Sequence, residues 1–109
     1  MAKEKVLELT QSKFKEFIEK NNISIVDFYA EWCMPCVMMA PVLESVAEDF
    51  KNIKFAKINV DDAQETAEKY QISSIPCIII FKEGKEIDRI IGGMSEESLK
   101  NMIKEIIER

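Results

Sequence analysis

Two cysteines three residues apart, in Cys33-Met34-Pro35-Cys36, are the side chains of this sequence best fitted to chemistry. At the start of a helix such a pair lies within bridging reach, and the free N–H groups and partial positive charge of the helix end favour the first sulfur as thiolate. The pair reads as a redox dithiol. The plainer readings are half of a metal site or two buried structural cysteines. A closed zinc site needs four nitrogen or sulfur ligands, whereas the chain supplies only one further cysteine, Cys77, and no histidine. Without histidine there is also no imidazole acid–base catalysis and no Ser-His or Cys-His nucleophile pair. The glycines, Gly84, Gly92 and Gly93, fit neither a phosphate-cradling loop nor a dinucleotide turn.

The elements that must position the dithiol follow from the apolar pattern. Ile23 to Ala30 is rich in β-branched and aromatic residues and apolar on both faces apart from Ser24 and Asp27, which suits a central strand covered on both sides. Asp27, the one charge in it, is either a desolvated carboxylate with a raised pKa or a side chain turned to solvent at a strand end. After a turn at Glu31-Trp32, Met39, Val42, Leu43, Val46, Ala47 and Phe50 recur at helical spacing from Cys33 onward, with Pro41 inside the helix. Ile53 to Val60 is the next strand, so the cysteines stand at the strand-to-helix turn of a right-handed parallel crossover.

Around this unit, Val6 to Leu9 is a short strand, and Thr10 caps a helix carrying Phe14, Phe17 and Ile18 that ends at Asn21-Asn22. Asp62, with Glu65 three residues on, marks the start of a short helix whose apolar side is Ala63, Ala67 and Tyr70. Cys77 to Phe81 and Glu86 to Ile91 form a hairpin across Lys82-Glu83-Gly84-Lys85. Gly92-Gly93 breaks the second hairpin strand. Ser95 opens a last helix that buries Leu99, Met102, Ile103 and Ile106.

With 109 residues the chain is sized for one domain and one core. Its 15 basic and 20 acidic residues give a net charge of -5, which disfavours phosphate backbones as partners. The first twenty residues interleave Lys3, Lys5, Lys13 and Lys15 with Glu4, Glu8, Glu16 and Glu19 and read as mature, non-exported protein. The longest apolar run, Ile75 to Phe81, is too short to cross a bilayer. A cytoplasmic protein that binds neither nucleic acid nor membrane is the expectation.

Trp32-Cys33-Met34-Pro35-Cys36, preceded by Val26-Asp27-Phe28-Tyr29-Ala30-Glu31, closely resembles the active-site segment of thioredoxins. Pro41, Lys57-Ile58-Asn59-Val60-Asp61, Ile75-Pro76, Phe81-Lys82-Glu83-Gly84 and Gly92 also stand where thioredoxins have corresponding features, so the resemblance spans nearly the whole chain. It implies one α/β domain over residues 1–109, with a central mixed five-stranded sheet flanked by four helices in the order β-α-β-α-β-α-β-β-α. It also implies thiol-disulfide oxidoreduction without a cofactor. Cys33 would be the exposed nucleophile and Cys36 the resolving thiol, the two closing as a Cys33–Cys36 disulfide. Asp27 would accept the Cys36 proton and Lys57 would pair with Asp27, although Lys57 also reads as an ordinary surface lysine. Pro76 would be cis. Ile75, Pro76, Trp32, Met34, Pro35, Gly92 and Gly93 would form an apolar surface for an extended substrate segment.

The implied partners are disulfide-containing proteins and a thioredoxin reductase-like electron donor, and the implied state is a monomer. The rival readings are a glutaredoxin- or isomerase-like carrier and a redox-sensing module that binds a partner. Three positions depart from the usual thioredoxin pattern. Met34 replaces a glycine and Val37 a lysine beside the dithiol, and Cys77 replaces a threonine after the proline. Cys77 reads as a small buried hydrophobe, a competitor for Cys33 or a third soft metal ligand.

Overall fold

A computed structural model describes residues 5–109, so Lys3 and Glu4 of the charged opening segment lie outside the described residues. The axis of the fold is β2 (Ile23–Tyr29), in which Ser24 through Phe28 are all buried. It is joined through α2 (Met34–Glu48) to β3 (Lys54–Asn59), which lies parallel to it, with Asp27 opposite Lys57. Before this unit come β1 (Val6–Leu9) and α1 (Gln11–Lys20); after it come α3 (Gln64–Lys69), β4 (Cys77–Lys82), β5 (Lys85–Ile91) and α4 (Glu96–Ile107). The sheet order is β1-β3-β2-β4-β5, with β1, β3 and β2 parallel and β4 and β5 antiparallel. The mixed five-stranded sheet with four helices is therefore the observed architecture.

The helices divide the core into two layers because alternate strand residues face opposite ways. On one face Ile25, Phe55, Ile78 and Ile80 pack against Met39, Leu43 and Val46 of α2 and Leu99, Ile103 and Ile106 of α4. On the other, Val26, Phe28, Ile79 and Phe81 meet Phe14, Phe17 and Ile18 of α1. There the rings of Phe14, Phe28, Tyr70 and Phe81 pack mostly edge to face, with centroids 5.5–6.3 Å apart. Ile78 through Phe81 are wholly buried, which is why β4 reads as an unbroken apolar run rather than an alternating one. Each such side chain contributes roughly 1.5–3 kcal/mol by leaving water. Among the described residues no helix is long and apolar enough to cross a membrane.

The structure corrects several local expectations. Thr10 occupies the N-cap position of α1, yet its hydroxyl makes no capping bond and pairs with Ser12 Oγ at 3.2 Å. The N-cap of α3 is Ala63, not Asp62. Ala63 is buried, and the helix entrance is tied instead by Gln11 Oε1, which accepts the Thr66 N–H at 3.2 Å. Met102 is 42% exposed because Leu99, Ile103 and Ile106 already fill the line of α4 that faces the sheet. β2 ends one residue before Ala30, and β3 is one residue shorter at each end than Ile53 to Val60. The hairpin loop is only Glu83-Gly84, both with positive φ, 51° and 85°, the geometry that a two-residue hairpin turn requires.

Candidate active site

The dithiol stands where β2 gives way to α2. Cys33 is the N-cap of α2, and its Sγ accepts the Cys36 N–H at 3.3 Å, so a sulfur takes the place that a serine or aspartate oxygen usually fills. Pro35 falls within the first turn, where a backbone N–H would have no partner inside the helix. Cys33 and Cys36 are joined as a disulfide, with Cα atoms 5.2 Å apart. The bridge packs against Ala30, with Tyr29, Val60 and Ile75 around it. Cys33, expected to be exposed, is only 5% accessible, because in the closed bridge its sulfur packs into this cluster. The Ile75 carbonyl oxygen lies 3.8 Å from Cys33 Sγ, positioned to accept from that thiol once the bridge is opened.

The expected docking residues surround this point, unequally exposed. Trp32 is 71% and Met34 66% accessible, and the Trp32 indole is held by its Nε1–H donating to Asp61 Oδ2 at 2.9 Å. Val37 and Met38 continue the exposed apolar strip along α2. Pro35 and Gly93 are exposed, Ile75 and Gly92 half-buried, and Pro76 buried. The Ile75–Pro76 bond is cis, and the Pro76 carbonyl accepts the Gly92 N–H at 2.9 Å, binding the two loops together. Gly92 sits at φ +95°, a backbone conformation that favours glycine.

Asp27 faces α2 from inside the sheet and is 3% exposed, so it does not turn to solvent. A 210 Å³ cleft runs to it between the sheet and α2, lined by Asp27, Tyr29, Glu31, Cys36, Val37 and Lys57 among others. Among the described residues Asp27 Oδ1 has no hydrogen-bond partner. Burial pushes the carboxyl from 3.8 up to about 7; the Lys57 charge opposes that rise, and Glu8 adds to it. Lys57 is Asp27's neighbour in register but forms no ion pair with it within 4 Å. Its Nζ lies 4.0 Å from Glu8 Oε1 and 5.7 Å from the centre of the Tyr29 ring, and Tyr29 donates to that same oxygen at 2.6 Å.

Cys77 is 1% exposed and unpaired, and it belongs to the core layer of Val26, Phe28 and Ile79, on the sheet face opposite Asp27. Burial pushes its thiol up. The site residues that sequence reasoning missed are Glu8, Tyr29 and Asp61, whose partners come from three strands and a loop. The strand register brings Glu8 and Tyr29 together, and the turns after β2 and β3 bring Asp61 to Trp32.

The family model described as Thioredoxin matches residues 5–105. The chain belongs to the thioredoxin family. It is 41% identical to a thioredoxin of Chlamydia caviae over 97 residues, which is 89% of this chain and 94% of that one. It is 39% identical to a thioredoxin of Pyropia yezoensis over 104 residues, 94% of this chain and 97% of the other. Among solved structures, a Plasmodium falciparum thioredoxin matches with a TM-score of 0.87 at 36% identity, covering 92% of this chain and 98% of its own. An N21Q thioredoxin from Halobacterium salinarum gives 0.85 at 31% identity, covering 97% and 95%. Like other members of the thioredoxin family, the protein is a thiol-disulfide oxidoreductase, and its redox pair is Cys33 and Cys36.

Proposed function

We propose that the protein works in the reducing direction, as a single thioredoxin-like domain over residues 1–109 that carries two electrons per turnover to protein disulfides. Cys33 attacks as thiolate, forming a mixed disulfide and releasing the first substrate sulfur. Cys36 then gives its proton to Asp27 and attacks Cys33 Sγ; the Cys33–Cys36 bond forms, the mixed disulfide breaks, and the second substrate sulfur leaves as thiolate. The observation that carries this reading is the placement of the two sulfurs. Cys33 Sγ takes the N-cap bond, where negative charge is favoured, while Cys36 lines the same cleft as the buried Asp27 carboxyl, whose Oδ1 has no partner among the described residues.

The position of Trp32, Met34, Pro35, Ile75, Gly92 and Gly93 around the dithiol, with Pro76 buried beneath, supports substrate docking there. Sustained turnover requires an external dithiol donor, a reductase, and a compartment that keeps thiols reduced, so we assign the protein to cytoplasmic electron transfer as a monomer. The test uses insulin as the disulfide probe. Cys33→Ser should eliminate turnover, and Cys36→Ser should accumulate the mixed disulfide, seen as the summed mass under non-reducing conditions. Turnover surviving in Cys33→Ser, or an adduct held on Cys77, would overturn the assignment.

A further inference from the structure

Glu8, Lys57 and Asp27 lie in one row across three neighbouring strands, Glu8 opposite Lys57 between β1 and β3 and Lys57 opposite Asp27 between β3 and β2. Side chains in register on parallel strands share a face, so one ammonium stands between two carboxylates whose backbones are about 10 Å apart. Its Nζ is 4.0 Å from Glu8 Oε1 and makes no ion pair with Asp27 within 4 Å. The choice has a physical reason. The Glu8 side chain is 49% exposed and that of Lys57 32%, so the ammonium keeps much of its water there, whereas meeting Asp27 means entering a buried site. Tyr29 completes the arrangement: its hydroxyl donates to the same Glu8 oxygen, and its ring lies beside the ammonium at 5.7 Å.

We propose that Glu8 is a positioning residue that, with Tyr29, anchors the Lys57 ammonium at the mouth of the cleft and so leaves the Asp27 carboxyl unpaired and able to receive the Cys36 proton. This rests on the reading of Asp27 as the proton acceptor. The other groups around Asp27 do not duplicate the effect. From α2 the cleft receives Cys36, Val37 and Ala40, and from the β2–α2 turn Glu31; the register neighbour on β4 is the apolar Ile78. Among the described residues Lys57 is thus the one cation lining the cleft, and its distance from Asp27 adjusts, beneath the larger effect of burial, how readily that carboxyl holds a proton. Glu8 also acts directly, since its own negative charge disfavours a second one at Asp27; this influence and the one through Lys57 have the same sign.

The experiment follows the Asp27 carboxyl by carbon NMR during pH titration of the oxidised protein, in which Cys36 is bonded and cannot titrate. Asp27→Asn assigns the signal. Glu8→Gln keeps an amide oxygen for the Tyr29 hydroxyl while removing the charge, and it lies at an exposed position, so the fold is retained. The expected result is that the Asp27 midpoint falls by about half to one pH unit in Glu8→Gln. It should rise in Lys57→Gln, and Glu8→Gln should move it less than half as far in the Lys57→Gln background. A midpoint unmoved by Glu8→Gln overturns the proposal, as does an equal movement with and without Lys57, which would mean that Glu8 acts only by its own field. The pH profile of insulin reduction separates the two readings. If the Asp27 midpoint moves while the acid limb of the rate stays fixed, the anchoring of Lys57 stands and the proton-acceptor role of Asp27 falls.

Discussion

Replacing Asp27 by Asn should change the way stability depends on pH. In the unfolded chain the carboxyl titrates near 3.8, and in the folded protein burial raises it to about 7. Between those values the folded state holds a proton that the unfolded state has released, so stability falls as pH rises through the window and levels off above it. At roughly 1.4 kcal/mol per pH unit the gap amounts to about 4 kcal/mol, against a total for a domain of this size of about 5–15 kcal/mol. The charge is costly because the carboxyl is buried, and among the described residues its Oδ1 has no hydrogen-bond partner and Lys57 makes no ion pair with it within 4 Å. Urea unfolding of the oxidised protein and of Asp27→Asn, at intervals from pH 4.5 to 8.5, gives the difference directly. Carboxylates that do not interact with Asp27 cancel between the two proteins, and any constant cost of burying the amide shifts the curve without changing its slope. The variant should gain on the parent steadily up to about pH 7 and hold the advantage above. Two curves running parallel across the range would refute the argument that burial, rather than a partner, sets the state of this side chain.

Cys77, at 1% exposure, should resist alkylation in the reduced native protein while Cys33 reacts, and should label only in denaturant; the reduction potential of the Cys33–Cys36 pair should be unchanged in Cys77→Ser. Mass mapping of the labelled peptides and equilibration in a redox buffer check both. Ser95→Ala, which removes the hydroxyl accepting the Ser98 N–H at 3.1 Å at the head of α4, should lower stability by about 1 kcal/mol in the same unfolding assay without altering insulin reduction.

What could be read without coordinates was whatever one segment states about itself. Cys33-Met34-Pro35-Cys36 carries its chemistry in its spacing, and the apolar rows of α1, α2 and α4 appear at their own period. The failures occur where two segments decide together. Asp62 carries a capping side chain, yet the burial of Ala63 and the reach of Gln11 from another helix set where α3 begins. Met102 has the right spacing for the core and is displaced by neighbours that fill the line first. How Lys57 sits between its neighbours is likewise decided by more than one segment. Nothing in Lys57-Ile58-Asn59-Val60-Asp61 reveals that β1 will lie on its far side, with Glu8 in register and its Oε1 4.0 Å from the ammonium.

That last arrangement bears on how the proposed mechanism handles two cysteines with opposite needs. Cys33 has to be a thiolate before it meets a substrate, and its place at the N-cap, with the Cys36 N–H directed at its sulfur, lowers the cost of that charge. Cys36 has to keep its proton until the mixed disulfide exists and lose it then, and this calls for a base that is weak in its resting state and close by. A carboxylate firmly paired with a lysine would stay ionised across the physiological range and take a proton poorly. One buried with no cation near would stay protonated and take none. Asp27, held near neutrality by burial against a lysine kept one strand away, lies between these limits. The strand order β1-β3-β2 is what allows it, because it places Glu8 and Asp27 on opposite sides of the same lysine.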